Sequence, residues 1–566
     1  MKNKICTILL GIMALSLCVS CEDYLTVVPD TTYTPAENAY KKADDALTAL
    51  YGVYALLQPL ADRIFLIGEA QGDLVVAARG ADKYIAEFAQ NRVSPQNPYT
   101  DYTAFYRAII ACNSAMKGMG NIRKVDPVYY SQEKYEMNIA EIMYVRAWLY
   151  LQLVKIWKDV PYLGNDVTVL EQLHETAPES RENILKYIQK DVEEYASLVY
   201  RLRLPGSAAL QDLLTSRTQI TQQAGAFLRA EIYLYQDNLP KAWATIRPYL
   251  PYGEYLNNNG RGISVGISNG GNRYWDDIIG GTRDREALFS EWVWYIDYDA
   301  SKGQTNHLQY WTDNENGGVY ALKPSSNAIN WWNTTEMMYM QFHAAEDRWF
   351  FTPRWNKGAA NRITDGNGKP IVGHIGDMTR GENGSYYVSK GDTIIFKYLM
   401  KEWGIKRDPA RNDAKSQNDP VFWLYRSGTF FQLVCEIMNN MGMHTEAVSI
   451  IGSNTGAAST RARVMVCPLW IDPQSSESEE VQVNRFILEE AALEGAFEGV
   501  RWFDLVRFST RPGYESWVGD YVSKKYPAAQ QAEIKARLSD PNHWYLPYYY
   551  INVDKNPHLN QKSGYN

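Results

Sequence analysis

The sequence predicts a mainly α protein: consecutive helix pairs in a solenoid-like layout, with a loop-rich, aromatic-rich region and minor β-hairpins. Three observations lead there. Apolar residues recur at the 3.6-residue helical period through much of the first 250 positions, and again near the end. Between Asn257 and Asn333 that period lapses, and Gly, Asn, Trp and Tyr take over. Asp365-Gly366-Asn367-Gly368 then offers the positive φ that a hairpin turn requires.

The first twenty residues read as a processing segment. Lys2 and Lys4 precede an apolar run from Ile5 to Leu17 that is too short to span a bilayer core about 30 Å thick. Small residues then lead to Cys21, in a pattern similar to a bacterial lipobox, although Cys18 stands where leucine is usual. Acylation of Cys21 would tether the chain, because each buried CH₂ contributes about 0.8 kcal/mol. Glu22 and Asp23 follow directly, an acidic pair that resembles a surface-export signal.

Helices are expected over Ala36–Leu57, Tyr106–Met119 and Tyr135–Trp157, the last stopped ahead of Pro161. Ser180 is a plausible cap for a helix running to Val199. Thr221–Tyr235 and Leu239–Tyr249 form a pair around Gln236-Asp237-Asn238. Tyr233, Leu234, Tyr235 and Ala242 are similar to tetratricopeptide positions, without a strict 34-residue repeat. Ile394–Met400 suggests a strand. Helices return at Ser427–Met441, His444–Gly452 and Asn484–Phe508, before a coil tail from Tyr545. The expected divisions are 1–20 signal, 21–240 helical, 241–340 loop-rich and 341–566 C-terminal, within one compact fold.

A net charge of −8, with no polybasic stripe, argues against a nucleic-acid partner. Cys112, Cys435 and Cys467 remain in the mature chain; buried thiols are expected at the first two, with a Cys435–Cys467 bridge as the alternative. The 17 Trp, 41 Tyr and 16 Phe suit either a large helical core or a surface that stacks on sugars.

Catalytic motifs fail on context. Gly262-Ile263-Ser264-Val265-Gly266 matches a nucleophile elbow but sits in a Gly- and Asn-rich loop. The seven histidines are dispersed without HExxH, and no phosphate-binding loop occurs. No cofactor is expected; calcium at Asp408–Asp419 stays open, although the EF-hand glycine and terminal glutamate are missing. Binding remains. The candidate contacts are Tyr274, Trp275, Tyr310, Trp311, Trp331 and Trp332, aromatics outside helical period beside Asn, Asp and Arg, together with Arg79 and Tyr99 from the stretch Arg79–Tyr102.

Three segments carry a family resemblance: Ala140–Leu151 running to Asp159-Val160-Pro161, then Phe497–Arg507, then Leu546-Pro547 with Asn556–Gln561 and Gly564-Tyr565. Their order and spacing resemble the SusD/RagB family of Bacteroidetes outer-membrane lipoproteins. The resemblance implies a right-handed superhelical scaffold of tetratricopeptide-like helix pairs and a non-enzymatic role. It also implies a glycan ligand, a SusC-like TonB-dependent transporter as partner, and a lipid anchor facing the cell exterior. A RagB-type peptide ligand is the alternative. From Glu494 into Phe497–Arg507, Glu494, Glu498, Arg501, Asp504 and Arg507 recur at three or four residues, which predicts one helix face laced by opposite charges. Replacing Cys21 with Ala is expected to release the protein from the membrane fraction, read by fractionation and blotting.

Overall fold

The computed structural model describes residues 39–199, 218–250, 292–314, 317–329, 386–389, 392–395, 398, 420–452 and 471–565. Cys21, Ser264, the Asp365–Gly368 turn and Asp408–Asp419 lie outside them. The first half is a run of helices: α1 (Ala43–Ala55), α2 (Gln58–Ala70), α3 (Thr103–Val125), α4 (Gln132–Trp157), α5 (Arg181–Glu194), α6 (Gln222–Tyr235) and α7 (Leu239–Ile246). The second half adds α8 (Ser427–Asn440), α9 (His444–Gly452), α10 (Glu479–Glu494) and α11 (Arg501–Ser509). Neighbours pack in succession: α1 on α3, α3 on α4, α4 on α5, α5 on α6, α6 on α7, α7 on α8, and α8 on α9 and α10. That is the expected layout of helix pairs.

Local chemistry sets the helix starts. Ser131, Ser180, Thr221 and Ser478 each accept a backbone N–H three residues on, a cap that typically contributes about 1 kcal/mol. Helix α4 runs 26 residues and is buried nearly continuously from Ile139 to Trp157, so it is the axis of the core. The α1–α2 stretch, Ala43–Ala70, is long and apolar enough to cross a bilayer, yet α2 packs against α11 and belongs to the core.

Strands are short and come in antiparallel pairs: β1 (Val75–Ala77), β2 (Trp292–Ile296), β3 (Leu322–Pro324), β4 (Tyr386–Ser389), β5 (Asp392–Ile395) and β6 (Phe422–Arg426). β1 pairs with β3, β2 with β6, and β4 with β5. The strand expected at Ile394–Met400 begins earlier, at Asp392.

Two buried networks explain recognisable residues of the first segment. Arg146 is fully buried; its Nε donates to Asn113 Oδ1 at 3.0 Å and its Nη1 to Asp191 Oδ2 at 3.0 Å, joining α3, α4 and α5. Tyr54 donates to Glu141 at 2.6 Å while accepting the Ile220 amide at 2.9 Å. Cys112 and Cys435 are buried free thiols.

The single helix expected from Asn484 to Phe508 is instead two, α10 and α11. Phe497 (φ 62°) and Gly499 (φ 80°) break it. The break lets backbones meet: a Cβ on Gly68 would lie 1.9 Å from the Gly499 carbonyl oxygen. The expected ladder of charges is therefore redistributed. Glu498 reaches Arg426 at 2.7 Å, and Arg501 clasps Asp73 through two bonds of 2.7 and 2.9 Å. Asp504–Arg507, at 2.8 Å, keeps the helical spacing.

Asp73→Asn leaves the Arg501 guanidinium buried without its counter-ion and is expected to cost about 3–5 kcal/mol, measured by urea unfolding. Glu141 has the opposite sensitivity: burial pushes its carboxyl up to about 7. The folded state therefore holds a proton that the unfolded chain releases near pH 4. Stability drains away as pH rises between those values. Glu141→Gln is expected to raise the melting temperature at pH 8 and change it little at pH 4, read by calorimetry.

Candidate functional site

Four of the sequence-predicted contacts, Arg79, Tyr99, Tyr310 and Trp311, lie among the described residues, on β1, β3 and the segments beside them. β1 pairs with β3 with Ala77 opposite Leu322. The ladder continues past the strand, since Ala78 N donates to Ala321 O at 2.8 Å and Gly80 N to Tyr320 O at 3.0 Å. A Cβ on Gly80 would sit 1.6 Å from the Val319 carbonyl oxygen, so only glycine permits this approach. Arg79 is thereby held at the surface with its guanidinium 4.7 Å from the Tyr320 ring centroid. Its Nη1 pairs with Asp392 Oδ2 at 2.5 Å, and Asn314 donates to the same oxygen at 3.0 Å. Hydrogen bonds from Arg79 and Asn314 hold the Asp392 carboxyl below its ordinary range. Tyr320 donates to Thr393 O at 2.8 Å, which fixes β5 beneath.

A short helix, Leu308–Thr312, carries Tyr310 and Trp311. Backbone bonds from Val319 N to Tyr310 O (2.8 Å) and Ala321 N to Trp311 O (2.7 Å) bind it to the Tyr320 segment. Trp311 is only 4% exposed. Its ring stacks on Phe65 (centroids 6.4 Å apart, 17°) and on His307 (5.4 Å, 24°), and meets Tyr99 edge-on at 6.1 Å. It is thus a wall supporting other rings, and its faces are covered. Tyr99 and Tyr310 are half-buried and offer the reachable aromatic surface.

Tyr99 is placed by Asn97, whose Oδ1 accepts the Tyr99 amide at 3.1 Å while its Nδ2 grips Tyr84 O and Glu87. Burial, with the Asp82 and Asp62 carboxylates nearby, pushes the Tyr99 phenol up to about 12. It therefore stays a neutral donor at physiological pH. His307 Nδ1 lies 2.6 Å from Asp62 Oδ2 on α2, and its backbone N–H donates to Asp62 Oδ1 at 2.8 Å. The hydrogen bond to Asp62 raises the imidazole above its ordinary value.

Sequence reasoning missed Asp62, His307, Tyr320 and Asp392. Spacing gave no signal for the first, second and fourth, because chain segments more than 200 residues apart converge here. Tyr320 takes a positive φ of 52°, which a bulky residue rarely does, and a local Gly317-Gly318 was the one hint of a tight turn. Tyr274, Trp275, Trp331 and Trp332 lie outside the described residues.

A separate cavity of about 80 Å³ lies between α4, α6, β6 and α11. Lys155 and Glu231 pair there at 3.0 Å, Tyr425 donates to Glu231 at 2.7 Å, and Arg507 pairs with Glu436 at 2.8 Å. Its charged walls are spent on one another, which makes it part of the scaffold. Among the described residues no cluster of His, Cys, Asp and Glu is arranged to hold a metal ion.

With fold and site in view, the chain can be compared with known proteins. The SusD family model matches residues 219–565. SusD-like protein P38 of Formosa agariphila is 21% identical over 524 residues, covering 89% of this chain and 91% of that protein. A SusD homolog from Bacteroides thetaiotaomicron superposes with a TM-score of 0.64 at 14% identity, covering 94% of this chain and 99% of the other. A laminarin-binding SusD-like protein superposes with a TM-score of 0.59 at 14% identity, covering 93% and 100%. Family match and shared helical scaffold agree, and the chain belongs to the SusD family.

Proposed function

We propose that this protein is a cell-surface lipoprotein, anchored through Cys21, that binds an oligosaccharide or polysaccharide on the Arg79–Tyr99–Tyr310 face. It passes the ligand to a SusC-like TonB-dependent transporter in the outer membrane. The observation that supports the proposal is a pair of half-buried rings joined to fixed polar groups: Tyr99 meets Trp311 and Tyr310 meets His307, while Arg79 lies on Tyr320 in the segment bonded to Tyr310 and Trp311. A flat ring offers a sugar's C–H face an apolar platform, and the surrounding donors and carboxylates match its hydroxyls. Trp331, Trp332, Tyr274 and Trp275 are proposed to extend the same surface. The laminarin ligand of a structural neighbour supports a glycan rather than a peptide. Membership of the SusD family supports both the anchor and the transporter.

The role is binding rather than turnover. Glu498 is buried against Arg426 at 2.7 Å and contributes to the scaffold.

Tyr99→Ala and Tyr310→Ala are each expected to weaken glycan binding about tenfold, a loss of about 1.4 kcal/mol, by isothermal titration. Trp311→Phe should act more weakly, because its ring faces the interior. Binding of peptides but no glycan in paired arrays would favour the RagB-type alternative and overturn the assignment. His307 supplies an independent check of the geometry. Its raised affinity for a proton means that the His307–Asp62 ion pair persists as pH rises through the ordinary histidine range and is lost above the shifted value. NMR titration should show Asp62→Asn lowering that value.

A further inference from the structure

A second surface, away from the ring-lined face, has the character of a docking site. Nine large apolar side chains are exposed among the described residues, and five belong to one corner: Leu47 and Tyr51 on α1, and Val125, Val128 and Tyr129 at the α3–α4 connection. Val128 is 82% exposed, Tyr129 72% and Val125 65%. Isolated exposed apolar residues need no explanation, but a cluster marks an interaction surface.

The connection is rigid. Asp126 Oδ2 accepts the Ala43 amide at 3.0 Å, Tyr130 N donates to Asp126 O at 3.0 Å, and Lys134 Nζ donates to Tyr129 O at 3.1 Å. Its apolar side chains are therefore held outward by a fixed turn. Within residues 41–45 and 121–136 the exposed lysines are Lys41, Lys42, Lys124 and Lys134, against the exposed carboxylates Asp44 and Glu133. Asp45 and Asp126 are turned onto backbone amides.

The path of the chain says what covers this corner. Tyr40 lies on Gly118 of α3, where a Cβ would come 2.2 Å from the ring. The chain thus enters the fold seven residues, about 10 Å along the helix, from Val125. From Cys21 to Ala39 there are eighteen residues, which reach roughly 60 Å at most. The corner where the tether joins the fold is the corner that carries the apolar turn and the lysines. Tyrosine with flanking lysines is the composition favoured at a lipid–water interface.

We propose that the Val125–Val128–Tyr129 turn is a second, non-covalent membrane contact: it inserts into the headgroup layer of an anionic bilayer beside the lipid anchor and fixes which face of the protein looks outward. It rests on the Cys21 anchor of the proposed function. The test uses the full-length lipidated chain in a Cys467→Ser background, with a fluorescent label on Val128→Cys or, as control, on Glu533→Cys. The chain is placed on phosphatidylethanolamine–phosphatidylglycerol vesicles. Expected are a blue shift and quenching by headgroup-labelled lipid at position 128 and neither at 533. Tyr129→Asp should abolish most of the quenching while the protein still floats with the vesicles. Flotation without preferential quenching at 128 overturns the proposal and leaves the anchor standing. Failure to float overturns the anchor and the proposal together. A shift at 128 that needs no vesicles and grows with protein concentration marks a second copy of the chain as the occupant, and also overturns it.

Discussion

The structure hangs on the buried Arg501–Asp73 pair. Its partners are 428 residues apart, almost fully buried, and joined by two hydrogen bonds. Burial by itself would raise the Asp73 carboxyl and lower the Arg501 guanidinium; each charge overrides that on the other, leaving Asp73 below and Arg501 above its ordinary value. Such a pair adds little net stability over apolar residues, but it tolerates no substitute on one side. What it supplies is register. Glu69, one turn earlier on α2, accepts the Gly499 amide at 2.8 Å and the Val500 amide at 3.3 Å. Together they fix the start of α11 on α2, and so fix the C-terminal helices on the N-terminal ones.

Helices were legible in the sequence where one amphipathic stripe spans one element. α4, α6, α8 and α9 lie within a few residues of their expected bounds, whereas the helix expected from Ser180 to Val199 stops at Glu194 and restarts at Ala196. The Phe497–Arg507 segment misled because charges three and four residues apart imply a helix only when no residue between them needs a positive φ. Phe497 carries that strain with no visible signature, and the partners Asp73, Glu69 and Arg426 are far away in sequence. α2, whose apolar residues are interrupted by Gln58, Asp62, Arg63 and Glu69, was not picked out.

The site was legible by residue type more than by role. Tyr310 was singled out as a ring outside helical period, and Arg79 and Tyr99 as members of the Arg79–Tyr102 stretch; Arg79 packs on Tyr320 and Tyr99 on Trp311. Trp311 has the same sequence character but faces inward between Phe65 and His307. Aromatic composition cannot distinguish a platform from the wall behind it. That distinction comes from which side of a five-residue helix meets α2.

The C-terminal tail also closes on distant structure. Lys562 donates to the Trp157 and Leu546 carbonyls, Tyr548 to Asp159 O at 2.5 Å, and Asn556 to Thr176 O at 2.9 Å. The C-terminal end of α4, the core's axis, thus receives a hydrogen-bond donor from Lys562, 405 residues further along the chain. A chain wired this way has a high contact order: its N-terminal helices reach their finished state only after residue 562 is available. Truncated products would carry an uncapped core helix and be open to proteolysis.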